Sequence, residues 1–224
     1  GPTNSLGHNV ALNPDGSLMA VNATDPPDNW PSHLDLRATN APDSLKSRYD
    51  FGDPIFGGEK IGIQPEFSPD GTQLAVMLAE KNGEAGLSAW SAQKGGIATL
   101  PVNVAAGTLG AAKVIVTAPT DGSYHFYPTW SPDSAYIAFV TSWDVNGASG
   151  SLGNDHGVLR MVAVADAPVT CPGPKCIELS RGTGYAVAAA QAMSGTSAST
   201  WPKFAPFAQG DGVYFLPFTS RRQY

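Results

Sequence analysis

The chain has 224 residues, 42% of them hydrophobic and only 14% charged, which excludes wholesale disorder and leaves enough chain for a real core. Its net charge is −6 without a Lys/Arg cluster, which argues against nucleic-acid binding, because phosphate neutralisation supplies most of that affinity. Gly (25) and Pro (19) lie scattered between short apolar runs, a pattern that excludes long helices, suits many short strands joined by turns, and leaves no apolar stretch long enough for a membrane span.

In chain order, the first predicted element is a hairpin at 10–21, VALNPDGSLMAV, with Leu12 before the turn Asn13-Pro14-Asp15-Gly16. HLDLRAT (33–39) and KIGI (60–63) read as the third and fourth strands of this unit. Unit two opens with QPEFSPDGTQLAVML (64–78). There Pro69 presets φ at the first central turn position, Asp70 can bond local backbone, and Gly71 accepts positive φ, so the chain reverses. GLSAWSA (86–92) and AKVIVTA (112–118) are its predicted third and fourth strands. Unit three repeats the pattern as YPTWSPDSAYIAFVTSW (127–143), with Pro132 and Asp133 in the turn, then GVLRMVAV (157–164) and CIELSRG (176–182). AVAAAQAM (186–193) is a predicted helical turn before unit four, WPKFAPFAQGDGVYFLPFTS (201–220). Pro65, Pro128 and Pro202 each precede an aromatic residue by two positions. Proline is excluded from the middle of a sheet, so each predicts the start of an innermost strand. The long stretches 22–59, 93–110 and 142–156 read as insertions in which contacts to partners would be made.

An aromatic residue, then Ser-Pro-Asp-Gly, then a strand such as QLAVM or YIAFVTS resembles the TolB-type β-propeller repeat, a WD-repeat-like blade of bacterial envelope proteins. WPKFAPF followed by FTSRRQY is similar to the opening of the same blade. The resemblance implies an all-β propeller of four-stranded antiparallel blades, with units at about 8–63, 64–125, 126–200 and 201–224. The turn prolines Pro14, Pro69, Pro132 and Pro206 recur irregularly, at intervals longer than the roughly 40–45 residues of a standard blade. Unit one departs from the pattern by lacking the leading proline and the aromatic, and unit four by carrying Phe207-Ala208-Gln209 after its turn proline. About three and a half blades fit before Tyr224, so the expectation is that further blades or another chain close the ring. The resemblance further implies a protein partner and a periplasmic, envelope or secreted location. It does not fix function, since the same blade serves interaction scaffolds, gates prolyl oligopeptidases and occurs in lyases.

The chemistry-bearing residues are sparse. No Gly-x-Ser-x-Gly elbow, His-Glu-x-x-His helix or Gly-Lys-Ser/Thr loop occurs, and no catalytic residue is assigned. His8 and His125 approach innermost strands, where a propeller's central channel opens, and with Tyr127 they are the candidate ligand-binding residues; a hydrogen-bonded core histidine is the alternative for His125. Asp144, Asn146, Asn154 and Asp155 concentrate oxygen ligands suited to calcium, although turn-forming residues of a polar hairpin loop explain the same composition. Cys171 and Cys176 flank a Pro-Gly-Pro bend that can bring them into disulfide range; two free thiols or a zinc site are the alternatives. A disulfide points to an oxidising compartment. Asp15, Asp70 and Asp133 carry turn roles. The reading is a non-catalytic binding scaffold of the bacterial envelope. The alternatives are a propeller enzyme acting on a polysaccharide or peptide in the channel, or capture of a metal or small ligand.

Overall fold

The computed structural model describes residues 6–23, 33–51, 60–80, 95–121, 123–143, 157–179, 199–200, 202–205 and 213–220. Unit one is the antiparallel sheet β1 (Leu6–Leu12), β2 (Leu18–Ala23), β3 (His33–Ala38) and β4 (Ala41–Asp50). Unit two is β5 (Lys60–Phe67), β6 (Gln73–Glu80) and β7 (Gly96–Asn103), with β8 (Thr108–Leu109) and β9 (Lys113–Val116) both pairing with β7. Unit three is β10 (Ser123–Trp130), β11 (Tyr136–Trp143), β12 (Val158–Ala163) and β13 (Cys176–Glu178). In unit four, β14 (Ser199–Thr200) pairs with β15 (Thr219–Ser220). The same hairpin continues through Lys203 N–H to Pro217 O and Ala205 N–H to Phe215 O.

The repeated turn is held by its own side chains. In unit two the Ser68 hydroxyl accepts the Gln73 N–H at 3.0 Å and donates to Asp70 Oδ1 at 2.6 Å, while Asp70 also accepts the Thr72 N–H at 2.9 Å. Ser131 and Asp133 repeat this with the Tyr136 and Ala135 N–H groups. In unit one Asn13 takes the serine's place, accepting the Leu18 N–H at 2.8 Å, and Asp15 accepts the Ser17 N–H. Burial alone would raise the Asp70 carboxyl, but the bonds from Ser68 and Thr72 outweigh it and hold it below the usual carboxylate range. Gly16 and Gly71 both sit at φ 73 in the left-handed region, and Ser134 occupies the same position at φ 60. Asp70→Ala is expected to lower stability by about 1–2 kcal/mol through the unmet donors it leaves, read as a shift of the urea midpoint with unchanged slope.

Three expectations change. KIGI opens β5 of unit two, and the fourth strand of unit one is β4. That strand is a sheet edge exposed over most of its length, so it carries no hydrophobic alternation to betray it. The third strand of unit two is β7, inside the stretch read as an insertion, while 86–92 lies outside the described residues. Gly95, Gly96 and Pro101 made this stretch look like loop. The glycines instead allow close approach: a Cβ on Gly96 would meet Val116 O at 2.5 Å, and one on Gly95 would meet Met77 Cε at 2.4 Å. Pro65 and Pro128 do not start their strands. Each follows a residue at φ 53 (Gln64, Tyr127) inside a register shift, between Ile63 and Glu66 in β5 and between Phe126 and Thr129 in β10. A bulge on an inner edge strand tolerates the missing N–H. The predicted helical turn at 186–193 lies outside the described residues.

The sheets stack face to face. One core cluster joins Leu18, Ala20, Leu34 and Leu36 of unit one to Phe67, Leu74, Val76 and Leu100 of unit two. The other joins Ile63, Met77, Ile97 and Ile115 of unit two to Trp130, Ile137, Phe139 and Val162 of unit three. Hydrogen bonds cross the same seams, from Asn22 Nδ2 to Gly62 O, from Ala112 N–H to the Tyr49 hydroxyl (3.1 Å), and from His125 N–H to Gly95 O (3.1 Å). Among the described residues no helix is long and apolar enough to cross a membrane.

Candidate functional site

Inner-strand residues of all four units line one cavity of about 410 Å³. Unit one contributes Asn9 and Val10, unit two Gln64, Pro65 and Glu66, unit three Tyr127 and Pro128, and unit four Pro202 and Lys203. These are corresponding positions, two to four residues ahead of the residue that begins each turn. The left-handed backbone at Gln64 and Tyr127 and the proline rings after them give the wall a fixed shape.

Bonds between units hold this wall. Tyr127 N–H donates to Gln64 Oε1 at 2.7 Å, and Trp130 Nε1–H donates to Glu66 O at 3.0 Å. Phe204 N–H approaches Thr129 Oγ1 at 3.4 Å, and the Tyr214 hydroxyl donates to Asp133 Oδ2 at 2.8 Å. Lys203 Nζ donates to Glu66 Oε1, spanning from unit four to unit two. Burial pushes the Glu66 carboxyl up, against the pull of Lys203. Among the described residues lining the cavity, the carboxylate and the ammonium are this one pair.

The predicted site residues separate. Tyr127 lines the cavity. His125 does not: its ring is fully buried, edge-on to Phe139 at 5.0 Å, with Nδ1 bonded to Thr141 Oγ1 at 2.9 Å. Burial, aided by the Arg160 charge, pushes it down to about 3, so the ring is neutral at physiological pH. His8 does not match it in register. It falls inside the irregular stretch of β1 between Leu6 and Val10, whereas His125 pairs regularly with Thr141. Asp144, Asn146, Asn154 and Asp155 lie outside the described residues. No group of three or more His, Cys, Asp or Glu able to hold a metal occurs among the described residues. Cys171 and Cys176 form a disulfide with Cα atoms 5.5 Å apart. Sequence reasoning missed Gln64, Glu66 and Lys203; the only signal for them was their adjacency to the prolines.

A second feature is one face of unit one. Register places Val10 beside Val21 and Asp35, and Leu12 beside Met19, Arg37 and Leu45. Corresponding residues Phe67 and Trp130 are 7% and 3% exposed in the seams with the preceding unit, but Leu12 is 61% exposed and Val10 54%. Val21, Asp35 and Arg37 on the same face are buried, so the exposed patch is Val10, Leu12 and Leu45.

No family model matches the chain, and no curated protein matches it. Solved structures do. A protein assigned as TolB from Agrobacterium tumefaciens superposes with a TM-score of 0.51 at 18% identity, covering 96% of this chain and 53% of that one. The fold is a β-propeller. This chain spans about half the length of that TolB structure. Weaker likenesses include prolyl oligopeptidase B from Galerina marginata (TM-score 0.48, 12% identity, 77% of this chain and 21% of that one). Hydrazine synthase of Kuenenia stuttgartiensis gives 0.47 at 11% identity, over 96% of this chain and 58% of that one. The units are thus propeller blades, and the cavity lies where their inner strands meet.

Proposed function

We propose that this propeller is a non-catalytic binding scaffold of the bacterial cell envelope that presents its inner-strand cavity and the adjoining loops to a protein partner. The observation that carries the reading is the cavity itself. Its wall is built from corresponding inner-strand residues of four units, stiffened by proline, with its carboxylate already bonded to Lys203. Such a wall offers shape and a few polar groups, which is what recognition needs. Chemistry needs an acid, a base and a stabilising group converging on one atom. The Cys171–Cys176 disulfide supports an oxidising compartment. The exposed apolar side chains Val10, Leu12 and Leu45 of blade one support a partner surface seated against them, because clustered exposed apolar side chains mark interaction sites.

The test is to immobilise the full chain and the variants Tyr127→Ala and Lys203→Glu against a bacterial envelope extract. A protein retained by the parent and at least tenfold less by both variants supports the reading; equal retention by all three sinks it. One observation favours the second reading, an enzyme acting on a polysaccharide or peptide: burial raises the Glu66 carboxyl at the cavity wall, as a proton donor requires. Turnover of a chromogenic glycoside or peptide that is lost in Glu66→Gln would replace the scaffold reading.

A further inference from the structure

We propose that the Cys171–Cys176 disulfide is a redox-controlled clasp that holds the outer loop of blade three against the edge of blade two. β12 ends in a 3-10 turn at Val164–Asp166, and the chain then leaves its own sheet. Val169 reaches the edge strand β9: its N–H donates to Ile115 O at 2.8 Å and its carbonyl accepts the Thr117 N–H at 3.0 Å, in a parallel bridge with Val116. The Thr117 and Thr170 hydroxyls meet at 3.2 Å. The side chains of Val169 and Cys171 are each 3% exposed and belong to the core cluster between the two blades. The chain turns sharply at Gly173, where a Cβ would meet Thr170 O at 2.5 Å, and returns to its sheet at Cys176, paired with Val162.

The disulfide therefore joins two places with different loyalties. Cys176 belongs to a strand of blade three, while Cys171 is inserted in the seam with blade two. Without the covalent tie, the loop is held to the β9 edge by two backbone bonds, the Thr117–Thr170 hydroxyl bond and two small apolar side chains, beside an exposed Lys175–Asp166 ion pair. A short loop with so few tertiary bonds is the kind of segment that opens locally before the rest of a fold. Cys176 is half-buried and Cys171 is buried, so attack falls on Cys176 Sγ. A thiolate of a dithiol reductant bonds to that sulfur, the Sγ–Sγ bond breaks, and Cys171 leaves as thiolate and takes a proton. The reductant's second thiol then displaces Cys176, becoming a disulfide itself, so two electrons pass to the protein and the reductant is oxidised.

The experiment is amide hydrogen exchange on the full chain, oxidised and after reduction with dithiothreitol. Exchange at Thr117 and Val169 is expected to quicken at least tenfold on reduction, while amides of β6 and β11 keep their protection. Unchanged exchange at Thr117 and Val169 overturns the clasp. So does a uniform rise across all blades, which would make the disulfide a global staple. The double variant Cys171→Ala/Cys176→Ala, without reductant, is expected to reproduce the reduced pattern at the same two amides, and the oxidised pattern in its place counts against the proposal.

Discussion

Trp130→Ala is expected to destabilise the protein by about 3–5 kcal/mol, while Leu12→Ala at the corresponding position of blade one changes stability by less than about 0.5 kcal/mol. The two residues occupy one register position, just before the turn and opposite Ile137 and Met19 respectively. Trp130 is buried in the seam between blades two and three, and its indole N–H is bonded to the Glu66 carbonyl. Truncation leaves a cavity and removes that bond together. Leu12 faces away from blade two with no described sheet against it. Trp130→Phe separates the two parts of the loss, keeping the aromatic volume and dropping the N–H, at a cost of about 1–3 kcal/mol. Urea unfolding of the three variants beside the parent measures this. Equal losses at Leu12 and Trp130 would mean that Leu12 is covered in solution, as it would be with another blade or a second copy seated on it.

The second large effect concerns Asp35, a fully buried carboxylate on β3. Arg37 Nη2 donates to it at 2.6 Å and Arg48 Nε at 2.9 Å, with His33 Nε2 at 3.4 Å. Asp35→Ala leaves the buried Arg37 without its counter-charge and is expected to cost about 3–5 kcal/mol. The group also sets an acid limb. Burial works to raise the Asp35 carboxyl, but the bonds from Arg48 and Arg37 and the charge of His33 outweigh it and hold it below its ordinary value. A carboxylate whose folded value lies below its unfolded value of about 3.9 adds stability above that pH and loses it as pH falls through the folded value. The parent should therefore lose stability steeply below about pH 4, and Asp35→Asn, already weakened at neutral pH, should show a shallower acid limb. Parallel limbs in the two proteins would remove Asp35 from the acid transition.

How far the fold and site were legible follows from the range of the interactions involved. The Ser-Pro-Asp-Gly hairpins could be read because their bonds close within five residues, as from Ser68 to Gln73 and from Asp70 to Thr72. The strands after them were legible where burial imposed apolar runs, as in β6 and β11. The polar edge strand β4 was not, since exposure imposes no pattern on it, and β7 was hidden by glycines whose role is close approach to neighbours. The cavity was legible only as a row of prolines. Its polar groups meet across blades, Tyr127 to Gln64, Trp130 to Glu66 and Lys203 to Glu66, at separations of 63, 64 and 137 residues. His125 shows the same limit. Its place at the approach to an innermost strand suggested a channel mouth, with a hydrogen-bonded core histidine as the alternative, and strand register turned its ring into the core.

The sequence by itself determined the repeated turn, the all-β class and a cysteine pair close enough to join, because each rests on backbone preferences and bonds within a few residues. Only the tertiary structure decided which inner-strand residues face one cavity, which apolar side chains of blade one stay exposed, and that the disulfide loop crosses onto its neighbour. Those depend on how whole sheets stack and on one-residue bulges that change the face a side chain takes, and no local pattern of residue types carries that information.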